Sequence, residues 1–279
     1  MTMTPTLNSK PSVNYYDANY GNFHSELYGE IRREAFGEDI GQSGWQTAAE
    51  QDQFLEALAL TSGRKLLDVC CGSGGPALRI AEKTGCLVTG IDIHEHGIVA
   101  ARAQVAARGT TEKSKFRVAN AAEPLPFQEA EFDAITCIDA IIHLPDRPRV
   151  LSDWKRILKI GGRMLFTDST VVTGPLTKEE IAVRSSIGYF QFVPPDYDRR
   201  VLEECGLKVL LCEDVTRNMA DLAQRLYTAR HSRAALLMKV EGESSYVGQP
   251  DISPGHLPDC PGAAAVAVLI HCGEALTGG

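Results

Sequence analysis

The stretch Leu66–Ile80, LLDVCCGSGGPALRI, decides how the rest of the 279-residue chain is read. An apolar run of strand length meets an acid, Asp68, and two cysteines. Three glycines then crowd into Gly72-Ser73-Gly74-Gly75 before a helix-forming run begins at Pro76. Glycine weakens regular structure, so three within four residues mark backbone that turns sharply or lies close to something else. Pro76 falls in the first turn of a helix, where its missing N–H costs nothing. A strand, a glycine turn and a helix together make an anion-friendly corner, because the first N–H groups of the helix are unpaired and the helix dipole adds to them.

Outward from this corner, strands and helices alternate. KLLDVC, CLVTGID, KFRVAN, FDAITCID and GRMLFTD read as strands, and PALRIAEKTG, IVAARAQVAARG and RPRVLSDWKRILKIGG as the helices between them. That alternation predicts an α/β fold, a doubly wound and mostly parallel sheet covered on both faces, with a ligand cleft at the carboxyl ends of the strands. Residues 1–14 read as a disordered lead-in. Residues 15–62 read as an N-terminal helical lid, broken by the loop GEDIGQSGW, and 63–279 as the core, with a cap insertion at about 172–200 after the fifth strand. Past the cap, YDRRVLEECG reads as a helix, LKVLLCED as a strand, Asn218 to Val240 as helical, and AAAVAVLIHC as a final strand.

Composition sets limits on partners. A formal charge of -8 argues against a protein that tracks nucleic-acid phosphates. No apolar run reaches membrane-spanning length, and the first residues lack a signal-peptide pattern, so a cytoplasmic protein is expected. The eight cysteines contain no C-x-x-C pair, which leaves reduced, mostly buried thiols as the expectation and no zinc site. His94 and His96 form no metal pair, since no third ligand accompanies them in the turn after the second strand.

The glycine turn has a partner acid. Asp92 stands twenty residues after Gly72 at the end of the second strand, where a carboxylate can hold both ribose hydroxyls of an adenosine ligand. Asp68 would repel a pyrophosphate but suits the ammonium of an amino-acid tail. Asn120, at the end of the third strand, can meet an adenine amino group, and Ala121 offers a backbone N–H beside it. Asp139 and His143 in IDAIIHLPD are four apart, which a helical turn would put on one face beside the reacting end of such a ligand.

In order and spacing, LLDVCCGSGG, VTGIDI, ANAAEPLPF and FDAITCIDAIIHLPDRPRVLSDWKRILKIGGRMLFTD resemble the class I S-adenosylmethionine-dependent methyltransferases over roughly residues 36–170. The segment D-A-x-x-H and the glycine- and serine-containing loop are similar to those of the sarcosine/dimethylglycine and phosphoethanolamine N-methyltransferases. The resemblance implies a seven-stranded Rossmann-like sheet and S-adenosyl-L-methionine as cofactor. It implies a small-molecule methyl acceptor, an amine nitrogen first and an oxygen or carbon as the alternative. A nicotinamide-dependent oxidoreductase is the rival class, and it leaves Asp68 and Asn120 unexplained.

By the same resemblance, Gly41, Gln42, Asp68, Gly72, Gly74, Asp92, Ile93, Asn120, Ala121 and Ile138 line the cofactor site. Asp139 holds the amine, and His143 moves a proton with an N-terminal tyrosine. Tyr16, Tyr20 and Tyr28 compete for that last role, and Tyr20 is carried forward as the catalytic candidate. The cap aromatics Tyr189, Phe190 and Phe192 would exclude water or pack as core.

Overall fold

The structure is a computed structural model that describes residues 15–172, 189, 191–194, 196–243, 246 and 263–271. The expected lead-in over 1–14 and most of the expected cap, Phe190 included, lie outside the described residues. Among the described residues, seven strands form one sheet in the order β3-β2-β1-β4-β5-β7-β6. The strands are β1 (Lys65–Val69), β2 (Leu87–Asp92), β3 (Ser114–Val118), β4 (Phe132–Cys137), β5 (Leu158–Val172), β6 (Lys208–Asp214) and β7 (Ala263–His271). The first five pair in parallel, and β7 enters antiparallel between β5 and β6.

β1 is the middle of the five parallel strands, and its apolar alternation builds both faces of the core. Leu67 and Val69 join Ile91, Ile135, Cys137 and Trp154 on one side, while Leu66 joins Phe54, Leu78, Val88 and Leu165 on the other. A strand buried on both faces reads as an unbroken apolar run, as Leu66–Val69 does apart from Asp68. Each fully buried Leu, Ile or Phe contributes roughly 1.5–3 kcal/mol.

The parallel crossovers run through α4 (Gly75–Thr84), α5 (Glu95–Arg108) and α6 (Arg147–Ile157). From β1 the chain steps outward to β2 and β3 and then returns to β4 on the other side. This reversal opens a crevice at the carboxyl ends of β1 and β4. Three helices precede the sheet: α1 (Tyr15–Gly21), α2 (Glu26–Phe36) and α3 (Ala48–Leu55). Thr47 and Glu50 close a reciprocal capping box at the start of α3. After the sheet's parallel half come α7 (Tyr197–Glu204), α8 (Thr216–His231) and α9 (Ala234–Glu241).

Three boundaries differ from the sequence reading. α6 stops at Ile157 rather than running to the glycine pair, because Leu158 turns extended and pairs with Phe132, so β5 begins at once. The helical stretch from Asn218 breaks at Ser232–Arg233 into α8 and α9. The segment after β4 is not a helical turn from Asp139. Asp139 takes a left-handed φ of 54°, and only Ile141–His143 forms a short 3-10 turn. Asp139 and His143 therefore do not share a helix face.

Candidate active site at the carboxyl edge of the sheet

The glycine turn is held by Asp92 and capped by the segment before α3. Asp92 is buried, and its two oxygens accept the backbone N–H groups of Gly72 and His94, each at 2.8 Å. One carboxylate thus pins both the β1 turn and the start of α5, and its remaining lone pairs stay available to a ligand. Gly72 and Gly74 both have positive φ, and a Cβ on Gly74 would lie 2.8 Å from the Phe116 ring. At Gly75 a Cβ would sit 2.0 Å from the Ile40 carbonyl oxygen. The third glycine is there because the loop over residues 38–46 lies directly against it.

That loop is tied down by its own side chains. Gln42 accepts from the Ile40 N–H at 2.9 Å and donates to the Glu38 carbonyl at 3.1 Å. Asp39 accepts from the Gly41 N–H, and Ser73 donates its hydroxyl to the Gly41 carbonyl at 2.8 Å. Gly41 and Gln42 are thus brought onto the glycine turn, as are Gly72 and Gly74 themselves. Gln46 is buried, and its Nε2 has no hydrogen-bond partner among the described residues.

Asp68 lies at the end of β1 and accepts the Thr136 hydroxyl at 2.7 Å. Burial pushes its pKa up to about 7; the Thr136 hydroxyl opposes and the Asp92 carboxylate adds to the rise. No cation is among the groups acting on it. A buried acid beside a second carboxylate suits a ligand that carries positive charge. Further along the edge, Asn120 accepts from the Ala122 N–H and donates to Glu123, while Ala121 is buried. Ile93 is 59% exposed beside Asp92, and Ile138 packs against the core.

After β4, Asp139 turns toward the covering loop. Its Oδ2 accepts the Trp45 N–H at 2.5 Å, and its Oδ1 accepts the Thr167 hydroxyl at 2.6 Å. A Cβ on Gly44 would come within 2.6 Å of Asp139 Oδ2, so the loop can approach only as glycine. Asp139, Glu50, Thr167, Gln46 and Asn218 line one small cavity between the loop and α8. Burial raises the pKa of Asp139, against the Thr167 hydroxyl and the loop N–H groups. Burial also lifts Glu50 to about 7; the Asp139 carboxylate adds to this, and the Thr47 N–H and Asn218 amide oppose it.

His143 faces the other way. Its Nδ1 is 2.9 Å from the Tyr189 carbonyl oxygen, and its Nε2 is 3.2 Å from the Tyr16 hydroxyl. A carbonyl can only accept, so Nδ1 carries the proton and Nε2 presents a lone pair to the phenol. Burial lowers the His143 pKa, the Tyr189 carbonyl opposes, and His94 lowers it further.

Of the three competing tyrosines, the structure brings Tyr16 to His143. Tyr20, the candidate carried from the sequence, is buried with its hydroxyl against Gly72. Burial first, and Asp92 second, raise its pKa. Tyr28 donates to Glu241 on α9, away from the crevice. Helical spacing explains the outcome: Tyr16 and Tyr20 share one face of α1, stacked 6.1 Å apart, and only the earlier one reaches the turn after β4. His94 joins the same cluster, its ring packed 5.0 Å from Tyr16 and 5.9 Å from Tyr20. Among the described residues, no group of three or more His, Cys, Asp or Glu side chains is placed to hold a metal.

Sequence reasoning missed Thr167 and Glu50. The polar pair Thr167-Asp168 at the end of an otherwise apolar strand was the available signal for the first. Glu50 reads in sequence as a helix-capping acid and nothing more.

Known proteins share both the fold and this arrangement of motifs. A family model described as a methyltransferase domain matches residues 67–166. The 27-O-demethylrifamycin SV methyltransferase of Amycolatopsis mediterranei is 31% identical over 217 residues, 75% of this chain and 79% of that protein. A sterol 24-C-methyltransferase of Gibberella zeae is 35% identical over 185 residues, 63% of this chain and 48% of that protein. Phosphoethanolamine N-methyltransferase 2 of Haemonchus contortus has been solved with phosphomonomethylethanolamine and S-adenosylhomocysteine. It matches with a TM-score of 0.72 at 18% identity, covering 96% of this chain and 60% of that one, a likeness of fold. The chain belongs to the S-adenosylmethionine-dependent methyltransferases, with a Rossmann-like α/β fold and S-adenosylmethionine as cofactor. The acceptor atoms in these relatives' names are oxygen, carbon and nitrogen.

Proposed function

We propose that this methyltransferase acts on a small-molecule acceptor through a protic heteroatom, an amine nitrogen first, whose proton leaves by way of Tyr16 and His143. The observation that carries the reading is the 3.2 Å approach of the Tyr16 hydroxyl to a histidine nitrogen that must bear a lone pair. An ammonium has no lone pair and a hydroxyl is a weak nucleophile, so either gains from a positioned base, by about 10²–10⁴-fold. As the acceptor's proton moves to the Tyr16 oxygen, the phenol's own proton moves to Nε2. Burial keeps His143 neutral at pH 7 and ready to take it.

The acids Asp139 and Glu50, buried under the covering loop, favour an acceptor that arrives positively charged. In this reading residues 15–62 form the lid and 63–279 the core.

When bound, S-adenosylmethionine supplies a methyl group on a sulfonium, with a neutral thioether as leaving group. Asp68 would take the ammonium of its amino-acid end and the Gly72–Gly74 turn the backbone contact. Asp92 would take the ribose, with Ile93, Asn120 and Ala121 about the adenine, and Gly41, Gln42 and Ile138 closing over the methionine end. The burial of Asp68 beside the Asp92 carboxylate, both of which raise its pKa, supports that placement.

A second reading, methylation of a hydroxyl, is favoured by the relative named as an O-methyltransferase acting on demethylrifamycin SV. One experiment separates the two. The protein is incubated with S-[methyl-14C]adenosylmethionine and two panels, small primary and secondary amines and small alcohols and phenols, and label is followed into product. Transfer to amines supports the first reading, and transfer to the alcohols and phenols alone replaces it with the second.

A further inference from the structure

The mechanism leaves unused a buried ionic group directly behind His143. Arg147, at the start of α6, has a fully buried side chain, and its Nη1 donates to Asp168 on β5 at 2.5 Å and to Asp198 on α7 at 2.7 Å. Its Nη2 donates to the Gln191 carbonyl at 3.3 Å. Gln191 in turn donates its N–H to the Ile142 carbonyl at 2.8 Å, and Tyr189, two residues earlier, accepts from His143 Nδ1. Tyr189 is therefore fastened to the imidazole, and Gln191 to the guanidinium and to Ile142.

A buried triad of this kind is a poor device for stability alone. Apolar replacements of buried ion pairs are often neutral or stabilising. Here the network is also incompletely satisfied: Arg147 Nε, Asp168 Oδ1 and Asp198 Oδ2 have no hydrogen-bond partner among the described residues. What the guanidinium uniquely provides is a rigid fork, two arms fixed in one plane, that joins β5, α7 and Gln191 at a set distance.

We infer that Arg147 is a positioning residue: by anchoring Gln191 it holds the Tyr189 carbonyl on Nδ1 of His143 and so selects the tautomer that turns the Nε2 lone pair toward Tyr16. This rests on Tyr16 and His143 acting as the base. Without the anchor, Nδ1 loses its fixed acceptor, the imidazole samples the Nε2–H tautomer, and the lone pair faces away from the phenol.

The test is the 15N spectrum of histidine-labelled protein, with His143 assigned by its loss in His143→Gln. The wild type is expected to show His143 as the Nδ1–H tautomer. Arg147→Lys keeps the charge but removes the fork, and is expected to give a mixture of tautomers. Methyl transfer should fall about 100-fold, the scale of an ångström-size misplacement, at unchanged S-adenosylmethionine affinity. Arg147→Gln, which also removes the donor to the Gln191 carbonyl, carries the same expectation where Arg147→Lys folds poorly. An unaltered Nδ1–H tautomer in a folded variant overturns the inference. The tautomer is read without turnover, so failure here is distinct from failure of the base assignment, which His143→Ala at full rate would show.

Discussion

The Tyr16 hydroxyl lies 3.2 Å from Nε2 of His143, although the two residues are 127 positions apart in the chain. The contact joins the first described helix to the turn after β4, so the proton-accepting pair exists only when the N-terminal segment is closed against the sheet. It also gives the acceptor's proton a short route from phenol to imidazole.

The rate should follow the ionisation of His143. Burial holds its pKa below the ordinary value of 6.5, so the base is already neutral at pH 7. Turnover is expected to rise with pH through a half-maximum below pH 6.5 and to level off toward pH 7.5. A pH profile at saturating cofactor measures this, and a rise centred above pH 7 would contradict it.

Asp68 ties cofactor binding and stability to pH. Asp68 and Glu50 each have a pKa raised to about 7 from ordinary carboxylate values, both with burial as the leading cause. Between about pH 4 and 7 the folded chain therefore holds more protons than the unfolded one, and stability falls as pH rises across that window. A cationic ligand prefers the ionised Asp68, so S-adenosylmethionine affinity should rise over the same range. Thermal unfolding from pH 5 to 8, with and without S-adenosylmethionine, is expected to show Tm falling without it and a growing ligand shift with it. Asp68→Asn should flatten the second trend.

Gly75→Ala places a methyl group on the Ile40 carbonyl. Backbone stands 2.0 Å from the new Cβ, so the covering loop has to move rather than a side chain. The expected cost is about 1–3 kcal/mol, the scale of overpacking, with weaker cofactor binding because Gly41 and Gln42 move with the loop. Calorimetry on the variant checks both.

Asp92→Ala removes the acceptor for two backbone N–H groups, those of Gly72 and His94. Leaving buried donors unpaired costs about 1–3 kcal/mol. S-adenosylmethionine affinity should fall at least about tenfold, which corresponds to 1.4 kcal/mol. Isothermal titration at a temperature where the variant remains folded gives the answer, and unchanged affinity would move the ribose elsewhere.

The parallel half of the sheet was legible because its signals are local. Each strand is a short apolar run, and the polar residues Asp68, Asp92, Asn120 and Asp139 fall where those runs end. The pairing of Tyr16 with His143 was not, since three tyrosines in one amphipathic segment are equivalent by spacing, and tertiary packing chooses among them. The orientation of Asp139 was misread for a different reason. The four-residue interval to His143 suggests a helical turn, but the left-handed backbone at Asp139 comes from its bonds to Thr167 and the covering loop, which lie far away in sequence. The burial of Arg147 was not legible either, because its acids come from β5 and α7.

The most direct test compares the three tyrosine and histidine positions in one assay. Label transfer from S-[methyl-14C]adenosylmethionine to the responsive acceptor panel is measured for wild type, Tyr16→Phe, Tyr20→Phe and His143→Ala, alongside cofactor affinity. Transfer is expected to fall at least 100-fold in Tyr16→Phe and His143→Ala with cofactor affinity intact, and far less in Tyr20→Phe. Wild-type rates in both Tyr16→Phe and His143→Ala would show that the proton leaves by another route.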